Sequence, residues 1–438
     1  MYGKIMLIAA SALMLTGCAA NTADSSLTQV QSAAESTAVT ETSTAVPEKP
    51  QPIKEKAQMP NEHEFLQLGG EGLFEAACGD FEVYKGTDVR YLSTGEDFYE
   101  ALLDETAKAE SFILMEYFIV EDGEMLDGLL EVLHDRAEHG VEIKFICDGF
   151  KQSEEFAEKL RAVGIDCHRY TPPEEGYINN RDHRKLTVID GKTAFVGGVN
   201  IADEYINKKS PYGHWKDMAV MLKGDGVKSC IELFFEQWDE DTDISSYVGY
   251  TRSVSAEGYV MPYSESPFDG EDIARDVYLE MIEQSEEELY ITAPYLIIDD
   301  VFEQSLCSAA ERGVKVYMIV PGIPDKPYME LLARPHYKKL AQCGVGIYRY
   351  DPGFIHGKVF VSDSKRAVVG SINLNNRSFR MDHENAVCLL GTPCISDIKA
   401  DMLTTIAQCT HLEADDIPDL TPQEQMRAAM LAKLENAM

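Results

Sequence analysis

His183, Lys185 and Asp190, followed by Gly197-Gly198-Val199-Asn200, set an imidazole, an ammonium and an amide along one short stretch. The pattern recurs as His356, Lys358 and Asp363, followed by Gly370-Ser371-Ile372-Asn373. In both copies the Lys stands two residues after the His and the Asp five after the Lys. A spacing kept twice is an internal repeat rather than two unrelated surface pairs. Two His, two Lys and two Asn suit a phosphodiester. The ammoniums, with the amides of Asn200 and Asn373, can hold non-bridging oxygens and the charge that builds on them in the transition state. One neutral His can attack phosphorus and form a phosphohistidine, while the other, protonated, gives its proton to the leaving alkoxide. Histidine suits both tasks because its ordinary pKa allows either form near neutrality.

The elements must present these groups together. Residues 185–190 read Lys-Leu-Thr-Val-Ile-Asp and residues 358–363 read Lys-Val-Phe-Val-Ser-Asp, both strand-like. Residues two apart on a strand share a face, so each His projects with its Lys. Asp190 and Asp363 lie an odd number of residues from their His and face away. We read these two members of the motif as structural, beside turns at 190–192 and 363–365. Further apolar runs follow at 193–196 and 367–369, and the small pairs after them let backbone approach a ligand.

The wider chain is also written twice. A strand at 111–119, a helix at 125–139 closed by Gly140 and a strand at 141–147 are matched by a strand at 289–298, a helix at 302–312 closed by Gly313 and a strand at 314–320. His183 to His356 and Gly140 to Gly313 are both 173 residues apart. Such alternation predicts an α/β fold of two similar halves, with mixed or parallel sheets flanked by helices. Packing about a pseudo-twofold axis would bring both motifs into one cleft. The expected halves are 61–240 and 241–438, with motifs in 177–204 and 350–377 and an acidic boundary at 239–243. A length of 438 residues allows two domains or one large duplicated one.

These motifs resemble the phospholipase D superfamily, whose signature is a duplicated His-x-Lys-x4-Asp, and within it the bacterial cardiolipin synthases. Residues 197–205 are similar to that subfamily's first motif tail, and Trp215-Lys216-Asp217 to its Trp-basic-Asp segment. Gly370 to Asn373, Arg377-Ser378-Phe379 and Glu384 are similar to its second motif. The likeness runs over residues 91–390. It implies a phosphatidyltransferase needing no metal or cofactor, with His183 attacking and His356 protonating the leaving group. It also implies that Asp217 and Glu384 orient the two imidazoles through their other ring nitrogens. One phosphatidylglycerol would load the His and release glycerol, and a second would attack to give cardiolipin. With water as acceptor the same site is a phospholipid hydrolase. A nuclease is disfavoured by charge, and an inactive lipid-binding lipoprotein by the complete motifs. Tyr117 and Tyr295 fall in corresponding strands and either line the pocket or pack in the core. Asn375 and His383 depart from the family pattern.

Before the repeat, Lys4 precedes an apolar run at 5–15 that ends in Leu15-Thr16-Gly17-Cys18. The run is too short to span a bilayer and reads as a secretory signal, residues 1–17. Its end resembles a bacterial lipobox, which implies a diacylglycerol on the Cys18 sulfur and a lipid-anchored protein on the extracytoplasmic side of the cell membrane. Residues 18–60, rich in Ser, Thr, Ala, Glu and Pro, read as a disordered tether with a reach of about 35 Å. The folded part is expected from about Phe65.

Charge narrows the partners. The chain holds 39 Lys plus Arg against 75 Asp plus Glu, a formal net charge of −36. Nucleic acid needs clustered cations and is disfavoured. An anionic bilayer also repels such a chain, within a screening length of about 8 Å. The local exception is Arg181, His183, Arg184 and Lys185 with Lys358. Of ten Cys, the nine beyond Cys18 are an odd number, so at least one is unpaired in the monomer. Cys147 and Cys388, in apolar runs, read as buried thiols. No Cys or His spacing is of zinc type. Residues 421–438 read as a terminal helix with Thr421 as cap, Pro422 at its first position and Glu424 closing a capping box.

Overall fold

Alternating β-branched and aromatic residues build two sheets of matching strand order in the computed structural model, which describes residues 56–172, 179–238 and 242–435. The leader, Cys18, most of the tether and residues 239–241 lie outside the described residues. In the first half the strands are β1 (Thr87–Leu92), β2 (Phe112–Tyr117), β3 (Glu142–Asp148), β4 (Asp166–Tyr170), β5 (Arg181–Asp182), β6 (Lys185–Ile189), β7 (Thr193–Gly197), β8 (His214–Lys216) and β9 (Ala219–Gly224). Those of the second are β10 (Tyr259–Glu265), β11 (Glu288–Thr292), β12 (Leu296–Ile297), β13 (Lys315–Pro321), β14 (Gly346–Tyr350), β15 (Gly353–Ile355), β16 (Lys358–Ser362), β17 (Arg366–Gly370), β18 (Leu374–Asn375), β19 (Asp382–Leu390) and β20 (Cys409–Leu412).

The first sheet runs β1-β9-β7-β6-β2-β3-β4 and the second β10-β19-β17-β16-β11-β13-β14, with β20 added at its edge. Strand for strand the two orders correspond, so the duplication extends from the motif to the topology. In each half three strands are parallel and the motif strands continue the sheet antiparallel.

Crossover helices explain the parallel part. Glu124–Glu138 joins β2 to β3 and buries Met125, Leu126, Leu129 and Leu133. Asp300–Glu311 joins β11 to β13, and the Asp299 carboxylate accepts the Phe302 N–H at 2.8 Å as its cap. Gly140 and Gly313 end these segments at φ +86° and +95°, where a side chain would be strained. The strand expected over 289–298 is divided. β11 stops at Thr292 and β12 begins at Leu296, because Pro294 has no N–H with which to continue a ladder.

The two sheets face each other. Leu186, Val188 and Val220 of the first half share a core with Val359, Val361 and Val387 of the second. The alternate side chains point outward, Ile113, Met115 and Phe145 to one core and Leu289, Ile291 and Met318 to another. Both halves therefore form one compact unit. Residues 56–84 depart from the expected boundaries. Phe65, Leu73, Phe74 and Ala77 pack with Tyr259, Met281 and Ile282 of the second half, not the first. Tyr84 bridges to Val260. The Ala57 N–H donates to the Gly79 carbonyl at 2.9 Å, so the folded chain includes residues assigned to the tether.

The terminal helix spans Pro422–Glu435. Its capping box closes as the residue types imply, with the Glu424 N–H 3.3 Å from Thr421 Oγ1 and the Thr421 N–H 2.9 Å from Glu424 Oε2. A disulfide, Cys307–Cys343, ties the helix Asp300–Glu311 to the residue that ends the helix Pro327–Gln342. Cys147 and Cys388 are buried free thiols. Among the described residues no helix is long and apolar enough to cross a membrane.

Candidate active site

Two short parallel pairings carry the chain of each half into the other. β5 pairs with the start of β19, Arg181 opposite Asp382 and Asp182 opposite His383. β15 pairs with β8, Phe354 opposite Trp215 and Ile355 opposite Lys216. The exchange is reciprocal, as a pseudo-twofold relation requires. It continues by one residue on each side. The His183 N–H donates to the His383 carbonyl at 2.9 Å and the His356 N–H to the Lys216 carbonyl at 2.7 Å. Each His thus arrives beside a carboxylate from the opposite half. His183 Nδ1 lies 2.8 Å from Glu384 Oε2, and His356 Nδ1 lies 2.6 Å from Asp217 Oδ2. With each Nδ1–H held by a carboxylate, Nε2 is left as the reactive nitrogen of both rings.

The small pairs after the motifs serve these carboxylates. The Ser371 hydroxyl donates to Glu384 Oε2. At the matching Gly198, a Cβ would stand 2.2 Å from Asp217 Oδ1, so only glycine leaves the carboxylate its place. Reading these pairs as room for a ligand is corrected to that extent.

The lysines complete the cluster. Lys185 Nζ donates to the His183 carbonyl. Lys358 Nζ donates to the His356 carbonyl at 2.5 Å and lies 3.0 Å from His356 Nε2. Both are buried. Burial pushes the Lys185 ammonium down to about 8 and that of Lys358 down to about 7. Burial and the neighbouring lysines hold His183 well below the usual range and His356 at about 4. Burial raises Glu384 to about 8. Burial is the first cause for all five groups, since it disfavours the charged form of a lysine, an imidazole or a carboxyl alike, and the neighbouring lysines lower the two imidazoles further.

Aromatic rings form the walls. Phe118 lies 4.9 Å from the His183 ring. Tyr205, Trp215 and Phe354 surround His356 at 5.4, 5.3 and 5.9 Å. Phe118 and Phe354 were not singled out from the sequence. Phe354 stands two residues before His356 on the same strand face, a signal that could have found it. Tyr117 instead packs in the first-half core, its hydroxyl 2.7 Å from Thr187 Oγ1. Tyr295 lines a small cavity with Asp325 and Lys326, and its hydroxyl donates to Asp325 at 2.5 Å.

The other expected residues separate. Asn200 Oδ1 accepts the Ile119 N–H at 2.9 Å, and its amide donates to the Tyr205 hydroxyl at 2.7 Å. Its amide thus steadies the ring beside His356. Asn373 is buried, and its side-chain oxygen has no hydrogen-bond partner. Asp190 accepts the N–H groups of Glu110, Ser111 and Phe112, and Asp363 those of Glu286, Glu287 and Glu288. Both motif aspartates thus anchor the chain entering the central strand, away from the imidazoles. Arg184 points to the opposite strand face from His183 and Lys185. It is buried there, donating to the Leu233 carbonyl at 2.7 Å and to Glu236 at 3.2 Å, so it adds no charge to the pocket surface. Asn375 caps the helix Asn376–Arg380 through the Ser378 N–H. His383 is buried between the rings of Tyr170 and Phe268. Among the described residues no three His, Cys, Asp or Glu side chains gather as a metal site.

Residues 102–237 and 278–405 match the family described as cardiolipin synthase, PLD-like domain. An uncharacterised protein of Streptococcus mutans is 42% identical over 341 residues, 75% of this chain and 74% of that one. Cardiolipin synthase 2 of Bacillus anthracis is 30% identical over 389 residues, 82% of this chain and 76% of that one. The crystal structure of phosphatidylserine synthase from Haemophilus influenzae shares the fold, with a TM-score of 0.65 at 14% identity over 86% of this chain and 98% of that one.

Proposed function

Because the chain belongs to the phospholipase D-like family of cardiolipin synthases, a family of phospholipid phosphatidyltransferases, we propose that it converts two phosphatidylglycerols into cardiolipin and glycerol. The observation that carries this reading is the pair of imidazoles, each held at Nδ1 by a carboxylate of the other half, with a lysine beside each.

In the first step His183 Nε2 attacks phosphorus and the bond to the glycerol oxygen breaks. His356 Nε2–H gives its proton to that oxygen. Lys185 and Lys358 balance the charge on the non-bridging oxygens. In the second step the glycerol hydroxyl of another phosphatidylglycerol gives its proton to His356 and attacks phosphorus, and His183 departs as neutral imidazole. Glu384 and Asp217 fix the tautomers throughout. The low pKa values of both imidazoles favour a neutral nucleophile, and the incoming phosphate anion favours the protonated acid.

The reading extends to place. A diacylglycerol on Cys18 would hold the enzyme on the extracytoplasmic face of the membrane, where the Cys307–Cys343 disulfide is at home in an oxidising compartment. Incubation of the purified protein with phosphatidylglycerol tests the reaction. Cardiolipin and glycerol are expected in equal amounts. Phosphatidic acid and glycerol without cardiolipin would make the enzyme a hydrolase instead.

A further inference from the structure

The loops that follow β3 and β13 correspond in the two halves. Each leaves the carboxyl end of a central parallel strand, the side on which such sheets meet their ligands. Each opens on a glycine packed against backbone, since a Cβ would lie 2.6 Å from the Tyr170 carbonyl oxygen at Gly149 and 2.1 Å from that of Tyr350 at Gly322. Each then turns an apolar side chain into solvent. Phe150 is 67% exposed and Ile323 is 43% exposed.

Cations stand next to both tips. Lys151 is exposed, and the Lys326 side chain is 45% exposed although burial of its ammonium holds it below the usual lysine range. Lys151 Nζ sits 5.0 Å over the Phe118 ring, which in turn lies 4.9 Å from the His183 ring. Lys326 Nζ lies 3.1 Å from the Tyr295 hydroxyl, its charge is felt by His183 and by Lys358, and it in turn feels the charge of Lys151. The Arg181 guanidinium stacks 4.1 Å from the Phe150 ring.

Four of the neighbouring carboxylates are engaged. Asp148 is buried and accepts the N–H groups of Phe150 and Lys151. Asp382 is buried against Arg377 at 3.0 Å. Asp325 accepts from Tyr295 and lies 3.9 Å from Lys326 Nζ. Glu154, which follows the first loop, is paired with Arg161 and Arg169. In a chain of net charge −36, the mouth of the cleft therefore presents two apolar tips, each with a lysine close by.

We propose that this rim, formed by Phe150 and Ile323 with Lys151 and Lys326, is the face that docks on an anionic phospholipid bilayer. The tips enter the interface on either side of the cleft, and the lysines meet the phosphates. This rests on the reading of the substrate as a membrane phospholipid. It accounts for how so acidic a chain can face an anionic membrane: an anchor gives proximity, and the rim gives orientation. A head group then reaches His183 without its acyl chains leaving the bilayer.

Tryptophan placed at the tips tests the contact in the full-length protein. Phe150→Trp and Ile323→Trp are compared with Tyr250→Trp, whose parent ring is 41% exposed and packs 5.8 Å from Phe112 at the far end of β2. The signal of the native Trp215 and Trp238 is subtracted. On phosphatidylglycerol vesicles with brominated acyl chains, the two rim tryptophans should be quenched and the third should not. No quenching at either tip, or equal quenching at all three positions, would overturn the proposal. A Phe150→Ser/Ile323→Ser variant should lose roughly 10-fold to 100-fold in rate on such vesicles. It should match the wild type on a water-soluble short-chain phosphatidylglycerol, and an equal loss on both substrates would also overturn the proposal. Quenching without turnover of either lipid by the wild type would break the functional reading and leave the docking face standing. Turnover without quenching would do the reverse.

Discussion

Replacing Lys358 with Met should destroy activity and stabilise the fold, and the gain should depend on pH in a defined direction. Lys358 is 2% exposed, and burial pushes its ammonium from an ordinary 10.5 down to about 7. The folded pKa lies below the unfolded one. Below pH 7 both states carry the proton, and the native state bears the full cost of the buried charge. Between pH 7 and 10.5 the unfolded chain binds more protons, so native stability rises with pH. A separation of 3.5 pH units corresponds to about 5 kcal/mol as the largest cost. Removing the Nζ bond to the His356 carbonyl returns about 1 kcal/mol of that. Lys358→Met should therefore be more stable than the wild type by about 4 kcal/mol at pH 7, and the difference should shrink towards zero by pH 10. Urea unfolding of both proteins at each pH measures it; groups away from the cluster are common to both, and the relief of His183 and His356 when the Lys358 charge is removed adds to the gain at low pH. A variant less stable at pH 7, or a difference that does not change with pH, would refute the picture of a strained ammonium.

Further outcomes follow from the same geometry. Asp217→Asn keeps the hydrogen-bond length but permits the wrong tautomer of His356, and kcat should fall by roughly 10²–10⁴-fold with an unchanged unfolding midpoint, read by steady-state kinetics and denaturation together. His, Lys and carboxylate groups fill every role, so EDTA should leave the rate unchanged. Loss of activity restored by a divalent ion would contradict that. Cys18→Ser should abolish incorporation of labelled palmitate into the protein in cells. Equal labelling of the variant would remove the anchor.

The chemistry was legible where it depended on local period. His183 with Lys185 and His356 with Lys358 share strand faces because a strand repeats every two residues. The same rule turned Asp190 and Asp363 away, and they are found on backbone N–H groups. It also turns Arg184 inward, although its charge next to the motif had suggested the pocket. Pairing across the chain was not legible. Glu384 reaches His183 over 201 residues and Asp217 reaches His356 over 139, through two short strand exchanges that leave little local signal. Asn200 looked like a phosphate ligand, yet the distant Ile119 N–H and the nearby Tyr205 hydroxyl occupy its amide. The helices His63–Gln67 and Gly70–Ala76 carry apolar faces, but an apolar face does not say which sheet will cover it. Nine cysteines allowed many pairings, and only the folded chain brings Cys307 to Cys343.

Trapping the covalent intermediate tests the central claim most directly. Wild-type and His356→Ala proteins are mixed with phosphatidylglycerol, or with an analogue bearing a good leaving group, and quenched rapidly in alkali, which preserves phosphohistidine. Mass spectrometry of the peptides should place a phosphatidyl group on His183. In His356→Ala the adduct should persist, because the base for the second step is missing, and in His183→Ala no adduct should form. An adduct on His356 with none on His183 would reverse the two roles. Turnover with no adduct on either His, and two-substrate kinetics of direct transfer, would contradict the account.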